Sequence, residues 1–348
     1  MNITHKALFD FGYAFLSPML NRYMREVALS CQHSRAICLA REGWTFNELL
    51  THLGNKGLIT LDYAPTYLKV SRTVLFRSLL GTPEVWHMAL SSKFSGSLAQ
   101  LLNKRFGLQL HEIYQLLPEK ILGQFVDLPT DTEKLVAILT PFNSRFANHV
   151  TPTREALVAY FKSENLYSDQ PGITFLDLGY AGTIQKLITM ILKRDTSGLY
   201  FIANSAGRNP IGDNTAMMKG VFRENVKWAD GYLMLERSLL LESLLTAPHG
   251  QVLDIRKKSD DTLDFYYGRS AAPQRHFQDL RTVIEGAIQG VEDGFATGVD
   301  FTVPEIESLF KGFALSPSAI PKSIFHLFDI DDEFSGNGML NAANHFGL

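Results

Sequence analysis

The segment Phe175 to Leu187, FLDLGYAGTIQKL, constrains the fold of this chain more than any other stretch. It runs from two apolar residues to a carboxylate, a short loop with two glycines, a threonine, and the start of an amphipathic pattern. A buried strand, a glycine-bearing turn and a helix start form the unit from which parallel sheets are built. The first turn of such a helix offers unpaired N–H groups and the positive end of its dipole, which suits a phosphate or sugar phosphate. Gly179 and Gly182, with Tyr180 and Ala181 between them, let the backbone approach an anion, and Thr183 adds a hydroxyl donor. Asp177, at the carboxyl end of the strand, is placed to hold a metal or the hydroxyls of a sugar. The plain alternative is a glycine turn that joins strand to helix and binds nothing.

The same organisation occurs earlier, in Arg35 to Leu50, RAICLAREGWTFNELL. An apolar run, Ile37 to Ala40, precedes a polar loop and a helix expected to begin near Thr45, with Glu48 completing a capping box. Thr66 to Val70, TYLKV, reads as the next strand, ending at Ser71 and Arg72. Residues 6–30 predict a helix whose apolar face carries Phe9, Tyr13, Leu16, Leu20, Tyr23 and Val27, with Pro18 as a candidate kink. Residues 81–164 show helical spacing and no clear strand. The sheet then resumes at Ile173 to Asp177 and at Gly198 to Ala203, GLYFIA. An apolar helix is expected from Gly231 to Leu245, breaking at APHG, followed by a hairpin of QVLDIRK and LDFYYG and a helical tail from Gln274. The expected fold class is α/β, with a parallel-sheet core formed by residues 1–80 and 166–270. A helical insertion at 81–165 and a helical C-terminal region at 271–348 complete the expectation.

At 348 residues, 45% hydrophobic and 20% charged, the chain can bury a sizeable core in the manner of an ordinary globular protein. A formal net charge of −3 argues against a bulk electrostatic grip, so no nucleic-acid partner is expected. Two cysteines, Cys31 and Cys38, cannot supply a disulfide framework or a cysteine-rich zinc site, and they suit a reducing compartment. Asp10 interrupts the opening segment where a signal peptide needs a continuous apolar core, and no run approaches the roughly 20 apolar residues that cross a bilayer. The expected location is cytoplasmic, with at most peripheral contact at the inner face of a membrane.

Three strand ends carry phosphate-compatible groups. In AREGW, Arg41 can fork onto a phosphate beside Glu42 and Gly43, although a surface ion pair with Glu42 would use the same residue types. Lys69 and Arg72 flank Ser71 at the second strand end. With Asp177 and its loop at the third, the convergence favours one anionic ligand spanning several loops. Glu242 and His249, in ESLLTAPHG, are candidates for an acceptor or loop role, His249 equally a helix-end partner. HEIYQ, at residues 111–115, has Gln115 where a zinc protease motif needs its second histidine. FDIDDEF, at residues 328–334, is similar to a phosphatase aspartate loop, but too little chain follows to build such a domain; it reads as a solvated acidic loop.

With those loops placed, the chain resembles the type I phosphoribosyltransferases, which bind phosphoribosyl pyrophosphate at the strand ends of a parallel sheet. More closely, FGY near the start, LAREGW, YLKVSR, LDLGYAGTIQ and ESLLTAPHG, in this order over about residues 8–255, resemble the ribofuranose 5-phosphate transferases of bacterial polysaccharide synthesis. The resemblance implies a magnesium-assisted glycosyltransferase. It would move ribofuranose 5-phosphate to a hydroxyl of an O-antigen or capsule acceptor, lipid-linked, with inversion at C1 and release of pyrophosphate. A separate haloacid-dehalogenase-type phosphatase would act next. Arg41, Gly43, Lys69, Ser71, Arg72 and Gly179 to Thr183 would bind the donor, Asp177 and Glu42 would be catalytic, and Asp177 would meet the metal. The departures are Leu176 where those enzymes usually carry a first acid, Ala181 in place of a threonine, and Tyr180 where purine enzymes often place a base. A non-catalytic sugar-phosphate-binding module and a nucleobase phosphoribosyltransferase remain the alternative readings.

Overall fold

A computed structural model describes residues 3–334 and 336–348. Its strands, in chain order, are β1 (Ser34–Leu39), β2 (Thr66–Leu68), β3 (Phe94–Ser97), β4 (Phe125–Leu128), β5 (Gly172–Asp177) and β6 (Thr196–Ala203). They continue with β7 (Gly207–Ile211), β8 (Asn214–Glu224), β9 (Val252–Lys257), β10 (Leu263–Tyr267), β11 (Asp329–Asp332) and β12 (Gly338–Asn341). Six of them form the central sheet in the order β2-β1-β5-β6-β8-β7, parallel throughout except for the antiparallel edge strand β7. The chain is therefore mixed α/β with a mostly parallel sheet.

The pleat divides the apolar side chains between two cores. Ile37, Leu39, Ile173 and Phe175 join the insertion helices on one face, whereas Ala36, Cys38 and Leu176 join the terminal helices on the other. Burial on both faces explains why β1 and β5 read as continuous apolar runs rather than alternating ones. The helix Phe277–Thr297 packs against the N-terminal helices, so the tail shares a core with the opening of the chain.

Several expectations change. The opening helix is Ile3–Phe11, a π-helical turn Gly12–Leu16, then Ser17–Ser30, continuous through Pro18; the Ser17 amide donates to the Gly12 carbonyl and its hydroxyl to the Tyr13 carbonyl at 2.6 Å, so the helix accommodates the proline with a π-turn. The helix after β1 begins at Glu42, not near Thr45, and has no side-chain cap; Thr45 is buried inside it. The insertion contains the antiparallel pair β3–β4. The apolar run from Gly231 holds two short helices, Leu233–Glu236 and Leu239–Leu244, instead of one. The acidic stretch at 329–332 is a strand in the β11–β12 hairpin, with Asp331 only 7% exposed, because Arg269 neutralises it at 3.2 Å. The expected β9–β10 hairpin is present. Among the described residues, no helix is long and apolar enough to cross a membrane.

Candidate functional site

The chain runs from β1 to β2 on one side, then returns after the insertion to place β5 on the other side of β1. Such a switch point in a parallel sheet opens a crevice at the carboxyl ends of the strands. Register brings those ends level: Leu39 pairs with Leu68, and Cys38 pairs with Leu176, the residue before Asp177. The loops that carry Arg41, Lys69 and the 178–182 segment consequently leave the sheet side by side.

Each loop is shaped by local chemistry. Ala40 takes φ 58°, which turns the chain straight from β1 into the helix Glu42–Asn55. Glu42, 8% exposed, so lies in the first helical turn, where a negative charge is favoured by the dipole. A Cβ on Gly43 would lie 2.4 Å from the Cys38 carbonyl carbon, so this glycine lets the helix start press against β1. After β5, the Gly179 amide donates to Asp177 Oδ1 at 3.2 Å, closing the turn on the carboxylate. Gly182 holds φ 63° at the N-cap of the helix Thr183–Leu192, and a Cβ there would also meet Met218 Cε at 2.5 Å. Among the described residues, the amides of Tyr180, Ala181 and Gly182 and the Thr183 hydroxyl have no hydrogen-bond partner.

Charge gathers around this crevice. Asp177 is 8% exposed, and burial pushes its carboxyl up to about 6, with Glu242 adding to the shift against the Gly179 amide and Arg72. Burial likewise raises Glu42 to about 7, with Asp177 adding to the shift while Arg41 and Arg72 oppose it. Half-buried Glu242 rises to about 7 through burial, Glu42 and Asp332, and it accepts the Tyr180 hydroxyl at 3.3 Å. Burial raises the Tyr180 phenol far above its ordinary value, so it acts as a donor. Three carboxyls raised to about 6–7 are suited to taking up or releasing a proton near neutrality.

The cations are different. The head groups of Arg41, Lys69 and Arg72 make no hydrogen bond or ion pair among the described residues; Lys69 Nζ lies 5.4 Å from the Phe265 ring centroid and Arg72 Cζ 4.0 Å from that of Phe334. Ser71 is occupied as a helix cap: its Oγ accepts the Val74 amide at 3.1 Å and donates to the Val252 carbonyl. His249 Nδ1 donates to the Gly250 carbonyl at 2.9 Å, leaving Nε2 to accept the Tyr67 hydroxyl at 2.9 Å. Burial, aided by Lys69 and Arg41 and opposed by the Gly250 carbonyl, holds His249 below its ordinary value, so the ring is a neutral acceptor beside the crevice.

The structure thus brings together Arg41, Glu42, Arg72, Asp177, Tyr180 and Glu242, with Lys69 and His249 at the margin. Gly43 and Ser71 act through packing and capping. Sequence reasoning missed Tyr67, Arg105, Asp332 and Phe334; only the glycine-rich turn after FDIDDEF, GNG, signalled a hairpin there. Two surface grooves lie elsewhere, one of about 420 Å³ beside β3 and β4 and one of about 300 Å³ at the amino ends of β5 and β6. Neither gathers titratable groups as the crevice does. Compared with protein-family models the chain matches none, and compared with curated proteins it matches none.

Proposed function

We propose that the chain is a phosphoribosyltransferase-like glycosyltransferase, which moves ribofuranose 5-phosphate from phosphoribosyl pyrophosphate to a hydroxyl of a bacterial polysaccharide acceptor. One observation carries this reading: three adjacent strand ends bring together unpaired cations, unpaired loop amides and carboxyls with raised proton affinity. The sequence resemblance supplies the identity of the donor and acceptor.

In this scheme Arg41, Lys69 and Arg72 bind the diphosphate and offset the charge that grows on it as the C1–oxygen bond breaks. The amides of Tyr180 to Gly182 and the Thr183 hydroxyl hold the 5-phosphate. Asp177 orients the ribose hydroxyls. The acceptor oxygen bonds to C1 from the opposite face and gives its proton to Glu42, pyrophosphate leaves with the electron pair, and the product is a β-ribofuranoside. Among the described residues no group of three His, Cys, Asp or Glu side chains is set to hold a metal ion. The donor set still fits magnesium, which keeps several waters and is commonly held by one or two carboxylates plus phosphate oxygens. Asp177 would be that carboxylate, and the ion would add positive charge beside the diphosphate.

The test mixes the protein with phosphoribosyl pyrophosphate, magnesium and a panel of lipid-linked and free glycans, following pyrophosphate release and acceptor mass. A gain of one ribose phosphate per acceptor is expected. Pyrophosphate release with a free base alone would mean a nucleobase enzyme. The departure at Leu176, a wholly buried core side chain where a family enzyme has an acid, favours the second reading of a binding module. Donor binding without turnover across the panel would establish that reading, and absence of both binding and turnover would sink the two together.

A further inference from the structure

Phe334 follows β11 at the turn of the C-terminal hairpin and is 5% exposed. Its ring receives two guanidinium groups, Arg72 at 4.0 Å and Arg105 at 4.3 Å from the centroid, and stacks on Phe76 at 6.0 Å with planes 12° apart. Phe76 belongs to the helix Arg72–Ser78, which Arg72 opens, so the ring grips the same helix twice. The hairpin is in turn anchored: Arg269 pairs with Asp331 and Glu333, and Lys104 reaches Glu333 at 3.1 Å.

The two guanidinium groups are not equivalent. Arg105 is wholly buried, and its Nη2 donates to the carbonyls of Ser92 at 3.2 Å and Lys93 at 2.8 Å, while Nε and Nη1 have no partner. Its pKa is lowered to about 10, by burial first and then by Arg72, with Asp332 opposing. Arg72 has no hydrogen bond or ion pair among the described residues, so the Phe334 face is what orients it. A guanidinium stacked on a ring keeps its in-plane N–H fork available, the geometry that receives phosphate oxygens. Two like charges on one ring also repel, and an anion bound at Arg72 would relieve that repulsion.

We propose that Phe334 is a positioning residue for the strand-end site: with the backbone-anchored Arg105 and the unpaired Arg72 both over its ring, it holds the Arg72 fork ready for the donor diphosphate, making the C-terminal hairpin part of that site. The inference rests on the reading that the strand ends bind a phosphorylated donor.

Calorimetry with inorganic pyrophosphate and magnesium tests both, on the parent, Phe334→Leu, Phe334→Tyr, Arg72→Gln and the Phe334→Leu/Arg72→Gln double variant. Phe334→Leu is expected to raise the pyrophosphate Kd about tenfold, a change of about 1.4 kcal/mol, and Phe334→Tyr to stay within about twofold of the parent. In turnover, KM for the donor should rise and kcat should fall with it, because Arg72 both binds the diphosphate and offsets the charge that grows on it. In the Arg72→Gln background Phe334→Leu should have no further effect, because the ring acts through that side chain. Should Phe334→Leu fold poorly, Phe334→Met, whose unbranched chain adapts to the gap, takes its place. Equal affinity of parent and Phe334→Leu, equal weakening by Phe334→Tyr, or additive losses in the double variant would each overturn the positioning role. A parent that binds no pyrophosphate would instead overturn the strand-end reading beneath it.

Discussion

Around Arg77 every buried charge has its counterpart. Its guanidinium, 2% exposed, meets Glu112 at 2.6 and 3.2 Å, Asp254 at 3.3 Å and the Gly107 carbonyl at 2.9 Å. Glu112 also accepts the Gln109 amide at 2.7 Å and lies 2.9 Å from His149 Nε2. Burial alone would raise Glu112, but the Arg77 hydrogen bonds and then the Gln109 amide hold it down at about 2. At the strand ends the same residue types are arranged differently: the carboxyls of Asp177, Glu42 and Glu242 are pushed up to about 6, 7 and 7, while Arg41 and Arg72 stay unpaired. Burial of charge is common to both regions. Pairing separates them, and a cluster that leaves cations and carboxylates unsatisfied together is preorganised for a ligand that is itself charged and hydroxylated.

That contrast is open to breakage from either side. Asp177→Asn removes the carboxylate that orients the ribose hydroxyls, so transfer should fall by about 10²-fold in kcat, while relief of its repulsion with Glu42 and Glu242 lets the unfolding free energy hold or rise. Steady-state kinetics beside denaturant unfolding would check it. Unfolding at reduced denaturant with activity intact would place Asp177 in the scaffold and erase the distinction. Arg77→Met should do the reverse. It strands Glu112 and Asp254 and should cost about 3–5 kcal/mol of stability, leaving KM and kcat per folded molecule unchanged. A large kinetic effect at full stability would make the Arg77 cluster part of the site.

The sheet was legible because β1 and β5 are uninterrupted apolar runs bounded by polar loops, and hydrophobic periodicity reports burial directly. The edge pair β7–β8 was not: Pro210 and several polar residues occupy positions that only an edge strand tolerates. The helix start at Glu42 was obscured because Thr45 followed by Glu48 satisfies a capping rule, whereas the actual turn depends on Ala40 adopting a left-handed conformation that no side chain advertises. At the site, Arg41, Glu42, Asp177 and the 179–183 loop could be read from strand ends. Arg105 and Phe334 could not, since a charge at helical spacing looks solvated until a distant segment covers it. The hairpin acids were misread for the same reason, their counter-charges Arg269 and Lys104 being remote in sequence.

The two regions should also divide the pH dependence of stability. The raised carboxyls of Asp177, Glu42 and Glu242 stay protonated in the folded chain over a window where the unfolded chain has released its protons. Their contribution is therefore present below the ordinary carboxylate value of about 4 and is lost as pH rises through about 6–7. Glu112 has the opposite sign: its contribution is present above about 4.3 and is lost as pH falls toward about 2. In magnesium-free buffer, denaturant unfolding should then give a stability that declines on both sides of about pH 4. Glu42→Gln/Glu242→Gln should flatten the neutral limb alone, and Arg77→Met/Glu112→Leu the acid limb alone. If each pair instead shifted the whole curve without changing either slope, the carboxylates of the crevice and of the Arg77 cluster would not differ in protonation, and the separation of site from scaffold by pairing would fail.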